Sequence, residues 1–223
     1  MISVISLSGS MIFDSALRID YLKRFKKVVL DHVRKGNRVV IVTGGGGLNR
    51  LYNAAAKGLC EPSDTNLDWL GIAVTRVNAT LVKTMFGELA YEDIITNPLQ
   101  VPATDKPILV ASGYKPGFST DWDAVMLAKH FGAGIINLTN VDYVYDKNPR
   151  QFKEAKPLKK LSWDGLQQLV GTEWTPRLNM PFDPIAVKEA KKAGLHLAII
   201  NGNRLERLEA ALQGKAVEGT VVN

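Results

Sequence analysis

The sequence predicts an α/β protein built on a mainly parallel sheet with helices on both faces. Three observations carry that reading. Ile2 to Leu7 and Val39 to Thr43 are short apolar runs, the second wholly β-branched, and they bracket a helically spaced segment from Asp20 to Lys35. Strand, crossover helix and strand make a βαβ unit, whose parallel strands need cover on both faces. Strand and helix patterns then alternate along the rest of the chain, and the strand at 39 to 43 runs into four consecutive glycines, Gly44 to Gly47, which strip every Cβ from the turn before the next helix.

Taken in order, Ser8-Gly9-Ser10 is expected as a tight turn after the first strand. Tyr21, Leu22, Phe25, Val28, Val29 and Val33 share one helix face, and Gly36-Asn37 ends that helix. Leu48 to Ala56 reads as the helix after the glycines, with a loop over 58 to 66 and a longer helix from about Leu67 to Phe86. On this longer helix Asp68, Gly71, Thr75, Arg76 and Asn78 interrupt an apolar pattern, and buried polar groups need partners. Pro98 and Pro102 reduce 89 to 103 to a connection with at most a short strand. Pro107 to Ala111 is a strand, Ser112 to Asp121 a loop, and a helix follows to about Phe131. A strand at Gly134 to Leu138 leads into a polar loop, Thr139 to Pro149, and then a basic run of Arg150, Lys153, Lys156, Lys159 and Lys160, read as a solvated face. Ser162 caps a helix to Val170, and 171 to 181 is a loop with Trp174 and Arg177. The last unit is helix Pro184 to Ala193, strand His196 to Ile200, helix Leu205 to Gln213 and strand Gly219 to Val222. With no repeat or linker, 1–223 reads as one domain.

The composition, 46% hydrophobic and 22% charged over 223 residues, excludes disordered and collagen-like classes. Cys60 is the only cysteine, so neither an internal disulfide framework nor a structural zinc site is available, and a reducing cytoplasm is expected. The first 13 residues lack a basic leader region, and no apolar run is long enough to span a membrane. A formal charge of +6 suits an anionic ligand. Its basic residues are scattered with no stacking motif beside them, so a nucleic-acid partner is not expected. His32, His130 and His196 have no paired ligand or nucleophile and read as structural. A G-x-S-x-G elbow and a Walker A lysine are absent, and Asn49 stands where a dinucleotide fingerprint needs its third glycine.

Two loops carry the chemistry. At Gly44 to Gly47 successive backbone N–H groups can close on an anion at the positive end of a helix, with Arg50 one turn in; the plain alternative is a flexible strand-to-helix connection. At Ser112 to Asp121 a lysine, a hydroxyl pair and an acid sit at a strand's carboxyl end, the usual ligand location in an open α/β sheet. The plain alternative there is a turn capped by Ser119 or Thr120.

Leu-Ser-Gly-Ser at 7–10, Thr-Gly-Gly-Gly-Gly-Leu-Asn-Arg at 43–50, Asp-Trp-Leu-Gly-Ile at 68–72, Thr-Arg-Val-Asn at 75–78, Pro-Gly-Phe-Ser-Thr-Asp at 116–121 and Thr-Asn-Val-Asp-Tyr-Val-Tyr at 139–145 together resemble the amino acid kinase superfamily. Within it the chain is most similar to the archaeal type of uridylate (UMP) kinase. Phe-Asp-Pro-Ile-Ala-Val-Lys at 182–188 and Gly-Thr-Val-Val at 219–222 resemble the family's closing segments. The resemblance implies a three-layer αβα sandwich, transfer of the γ-phosphoryl of ATP to UMP with Mg²⁺, and a hexamer. It implies that Gly9 and Ser10 face the ATP phosphates, that Gly45 contacts UMP, and that Gly46 and Arg50 lie between acceptor and donor. Asp68 matches the acid that holds the acceptor nucleotide. Tyr114, Lys115, Pro116, Gly117, Phe118, Ser119 and Thr120 match the loop closing over it. Thr139, Tyr145 and Asn148 fall at ATP-binding positions. Asp121 would orient a cation or Mg²⁺ and need not act as a base, since the acceptor phosphate is largely ionised at pH 7.

Four positions depart from the family's pattern. Bacterial members carry a lysine where Ser6 stands and archaeal members often carry one at Gly47, while Tyr143 replaces the glycine of Val-Asp-Gly-Val and Asn148 the acid before Pro149. Loss of a phosphate-bridging cation is worth about 10³-fold in rate by analogy with arginine fingers, and Lys115 with Arg50 would supply the missing charge as catalytic groups. Two alternatives stand beside UMP kinase: another small-molecule kinase of the same fold, and a nucleotide-binding or storage protein with impaired catalysis.

Overall fold

A computed structural model of the chain describes residues 1–149, 151–172 and 180–223, so Arg150, Trp174 and Arg177 lie outside the described residues. The element order is β1 (Ile2–Leu7), α1 (Gly9–Ile12), α2 (Ile19–Val33), β2 (Arg38–Thr43), α3 (Gly46–Leu59), α4 (Asp64–Thr84), β3 (Ile108–Ala111), α5 (Thr120–Phe131), β4 (Ile135–Thr139), β5 (Val144–Tyr145), β6 (Pro157–Leu158), β7 (Lys160–Leu161), α6 (Trp163–Val170), α7 (Pro184–Lys192), β8 (Leu197–Asn201), α8 (Leu205–Leu212) and β9 (Thr220–Val222). Seven strands form one sheet in the order β3-β2-β1-β4-β8-β9-β7, and β5 pairs with β6 apart from it. Pairing is parallel from β3 through β8; β9 runs antiparallel against β8, and β7 joins β9 in parallel.

The central strands are apolar on both faces because both are covered. Along β2, Val40 and Val42 point into one core and Val39 and Ile41 into the other, the period of two that a strand imposes. The first core also receives Val4, Leu109, Ile135 and residues of α5, α6 and α7; the second receives Ile5, Leu7, Ile108, Val110 and residues of α1, α2, α4 and α8. This is the expected αβα sandwich.

Helix ends follow local chemistry. Ser63, Ser119 and Ser162 cap α4, α5 and α6 by accepting the N–H of Asn66, Trp122 and Gly165. Asp183 caps α7 by accepting from Ile185 and Ala186, with Pro184 at the first helical position.

Several boundaries differ from the sequence reading. Ser8-Gly9-Ser10 opens one short helical turn, α1, in place of a simple turn. Helix α3 begins at Gly46, not Leu48, because the last two glycines already form its first turn, and it runs on to Leu59. The Ser63 cap starts α4 three residues before the expected Leu67. Strands β5, β6 and β7 have two residues each, too short to leave a periodic signal.

Candidate active site

Five parallel strands end on one edge of the sheet, and their carboxyl ends carry the loops at 8–10 after β1, 44–45 after β2, 112–119 after β3, 140–143 after β4 and 202–204 after β8. The chain order reverses between β1 and β4, the switch point where open α/β sheets bind ligands. The Ser8 N–H reaches the Leu138 carbonyl across that point at 3.3 Å.

The two glycine loops touch each other directly. A Cβ on Gly9 would fall 2.2 Å from the Gly46 nitrogen, and one on Gly46 would fall 2.1 Å from the Gly9 carbonyl carbon. No side chain fits at either position, and Gly46 also needs its left-handed φ of +62°. The glycines thus let two backbone turns from adjacent strands come together as one surface. Gly47 is tight for a different reason: its Cβ would lie 1.8 Å from the Asp14 carbonyl oxygen, and its N–H donates to Phe13 at 3.0 Å. The Phe13-Asp14 backbone therefore leaves no room for a side chain at position 47.

The polar residues of α4 hold these loops. The Asn78 amide donates to the Gly44 carbonyl at 2.8 Å, and the Thr75 hydroxyl accepts the Gly113 N–H at 2.9 Å while donating to Ile72. Thr43, fully buried, donates to the Thr75 carbonyl at 3.0 Å. Asp68 accepts the Gly117 N–H at 3.2 Å, tethering the 112–119 loop to the same helix. Arg76 stays exposed. In that loop Tyr114, Phe118 and Trp122 cluster, with Phe118 and Trp122 rings 4.3 Å apart, and the exposed Lys115 ammonium rides over the Tyr114 and Phe118 faces at 5.0 and 5.2 Å. Pro116 and Thr120 complete the loop and the start of α5. Arg50 lies at the rim, paired with Asp14 at 3.5 Å; both side chains are two-thirds exposed, so water screens the pair and the guanidinium is easily given up to a phosphate.

Beneath the loops sits a group of carboxylates. Asp121 accepts from the Ser6 hydroxyl at 3.5 Å and from the Asp183 N–H at 3.3 Å. Burial pushes its carboxyl up to about 7, with the Asp183 charge adding to the rise. Asp123, wholly inaccessible, accepts the Tyr114 N–H at 3.2 Å and leaves its other oxygen without a partner. Burial raises it to about 8 against the opposing effect of that N–H, and Asp121 and Asp183 push the same way as burial. The expected donor residues lie on the other side of β1. Thr139 accepts the Val141 N–H at 3.1 Å, Tyr145 meets Tyr143 edge-on at 6.5 Å, and the Asn148 carbonyl accepts from Gln151 and Phe152.

The sequence reading assigned no role to Asp123 and Asp183. The signals for them were present, an acid two residues after Asp121 and an Asp-Pro helix start, but neither shows in sequence that it faces Asp121. Among the described residues no group of three or more His, Cys, Asp or Glu side chains is placed to hold a metal ion. A nucleotide-borne Mg²⁺ asks less, since it keeps waters and takes phosphate oxygens with one or two carboxylates. The residues present fit such an ion.

A mainly parallel αβα sandwich with two interlocked glycine loops at the switch point defines a phosphate-handling class, and the profile of the amino acid kinase family matches residues 1–201. The chain belongs to that family. More particularly, it is 34% identical to a uridylate kinase of Methanospirillum hungatei over 98% of this chain and 93% of the relative. The crystal structure of uridylate kinase from Archaeoglobus fulgidus superimposes with a TM-score of 0.86 at 30% identity, covering all of both chains. A UMP kinase structure from Bacillus anthracis shares the fold, with a TM-score of 0.79 at 21% identity over 100% of this chain and 95% of that one.

Proposed function

We propose that this chain is a UMP kinase, transferring the γ-phosphoryl of ATP to the phosphate of UMP to give UDP and ADP. The observation that carries the reading is the contact of Gly9 with Gly44–Gly46, which puts two glycine turns from adjacent strands on one surface at the switch point, as a paired donor and acceptor cradle would need. Phosphoryl transfer asks a protein chiefly for in-line positioning and charge neutralisation. Gly9 and Ser10 would hold the donor phosphates, with Thr139, Tyr145 and Asn148 on the nucleoside side. Gly45 and Asp68 would hold the acceptor, and the loop from Tyr114 to Thr120 would close over it, its Gly117 already tied to Asp68. Gly46 and Arg50 would lie between the two phosphates, and Lys115 would swing from its aromatic seat to the acceptor side. When bound with the nucleotide, Mg²⁺ supplies further neutralisation of the phosphate charge. Asp121 would orient the cationic side of that arrangement from beneath, while Asp123, wholly buried, would brace the Tyr114 backbone.

Several coarser readings go with this one. Residues 1–223 would act as one domain, because β7 and β9 join the sheet begun by β1. Self-association, up to a hexamer, is supported by the apolar residues that α3 and α4 leave exposed, Leu51, Tyr52, Leu59, Trp69 and Val77. No described helix is long and apolar enough to cross a membrane, and the exposed free thiol of Cys60 supports the reducing cytoplasm as the compartment. Slow or absent transfer is the second reading, and it is favoured by Gly47, where the Asp14 carbonyl leaves no room for the lysine that the family resemblance leads one to expect.

The test is a coupled ADP assay with ATP, Mg²⁺ and a panel of UMP, CMP, dCMP and small carboxylates. Turnover preferring UMP supports the proposal. Turnover preferring a carboxylate contradicts it, and nucleotide binding by calorimetry with no turnover on any acceptor favours the second reading.

A further inference from the structure

A chain of hydrogen-bonded side chains links the two loops proposed for the donor nucleotide. It starts at Arg18, the residue preceding α2. Its guanidinium stacks over the Tyr21 ring at 4.8 Å and has no carboxylate partner among the described residues. One nitrogen donates to the Ser10 carbonyl at 3.3 Å and the other to the Asn203 amide oxygen at 2.7 Å. The Asn203 amide nitrogen in turn donates to Asn201 at 3.0 Å, and the Asn201 amide nitrogen donates to Asp142 at 3.2 Å. From Arg18 through Asn203 and Asn201 to Asp142 each bond runs in the same donor direction and the path ends on a carboxylate, so each polarises the next. Asp142 is further gripped by Arg207, a buried guanidinium, at 2.8 Å. Backbone contacts follow the same path, with the Gly202 N–H on the Thr139 carbonyl at 2.8 Å.

The two ends of this chain are the two halves of the proposed donor site. Ser10 belongs to the loop expected at the ATP phosphates, and Asp142 sits between Thr139 and Tyr145 in the loop expected at the nucleoside. These loops follow different strands, and a nucleotide must touch both at once. A fixed spacing between them removes ordering cost from binding. Arginine suits the end position because its planar fork reaches two acceptors at once, which an ammonium does less well.

We propose that Arg18 is a positioning residue for the donor nucleotide, clamping the Ser8–Ser10 loop to the Thr139–Tyr145 loop through Asn203, Asn201 and Asp142. The inference rests on the UMP kinase reading only in taking these loops as the ATP side. It predicts that Arg18→Ala weakens binding of ATP with Mg²⁺ by about 10-fold, leaves UMP binding unchanged, and raises KM for ATP far more than it lowers kcat. Arg18→Lys should recover part of the loss. Asn201→Ala, at the half-buried end of β8, should reproduce the Arg18→Ala effect, and the double variant should be no worse than either single one, because both break the same chain.

Calorimetry with ATP and with UMP on the wild-type protein and these variants decides the matter, with thermal unfolding followed in parallel. Selective loss of ATP affinity without a matching loss of Tm is the expected result. Unchanged ATP affinity in Arg18→Ala and Asn201→Ala overturns the clamp while leaving the kinase reading intact, and equal loss for both nucleotides overturns it in favour of a general structural role. Failure of the wild-type protein to bind ATP removes the donor site itself, and the clamp falls with it.

Discussion

The glycines at 9 and 46 are where the two loops press on each other, with no room for a side chain at either position. Replacing Gly9 with Ala puts a methyl 2.2 Å from the Gly46 nitrogen, a backbone atom that cannot rotate away. Such overpacking costs about 1–3 kcal/mol or more, and urea unfolding should show that loss together with loss of nucleotide binding. The carboxylates give a second prediction. Asp121 and Asp123 rise from an ordinary 3.8 to about 7 and about 8, so the folded state holds protons that the unfolded chain has released. Their contribution is therefore favourable below about pH 4 and is lost as pH climbs through 7 and 8. Ligand-free protein should lose stability between pH 5 and 8 by this route, and Asp123→Asn, neutral at every pH, should flatten that slope; an unchanged slope would show that other groups set it. For the cations, Lys115→Ala and Arg50→Ala should each slow turnover, by up to about 10³-fold if the pair replaces the missing lysine. No change in either variant would remove them from the mechanism. At this scale the sequence was informative about which residue types gather, but not about contacts. Nothing in the pattern shows that the Asp14 carbonyl occupies the space beside Gly47, or that Asp183 faces Asp121, because both depend on how distant segments meet.

Helix α4 is the element that holds the loops proposed for the acceptor. Its Asp68, Thr75 and Asn78 each hold a different loop, at Gly117, Gly113 and Gly44. Their legibility came from a simple rule, that polar groups on a buried helix face need partners, and only the identity of the partners had to wait for the structure. Asp68→Ala releases Gly117 and should raise KM for the acceptor while leaving KM for ATP unchanged; a rise in KM for ATP instead would place the 112–119 loop on the donor side. Ser119 was legible as a cap for the same local reason, and Ser119→Ala should cost about 1 kcal/mol of stability. The two-residue strands β5, β6 and β7 were not legible, since they are held by pairing with distant partners such as β9.

Across the whole molecule, the sheet order places every loop discussed on one edge and leaves the opposite edge without a role. The parallel core was readable because βαβ units with continuous apolar strands admit few topologies. The antiparallel β9 was not, because a three-residue strand carries no sign of its direction. Self-association through the exposed residues of α3 and α4 should give a mass above 24.5 kDa in light scattering, and Trp69→Glu should lower it. The most direct measurement of the central claim follows the label from ATP bearing a radioactive γ-phosphate, mixed with UMP, Mg²⁺ and the purified protein. The account predicts labelled UDP, formed with UMP in preference to other acceptors and lost in the Gly9→Ala variant. Labelled product on another acceptor, with none on UMP, would contradict it.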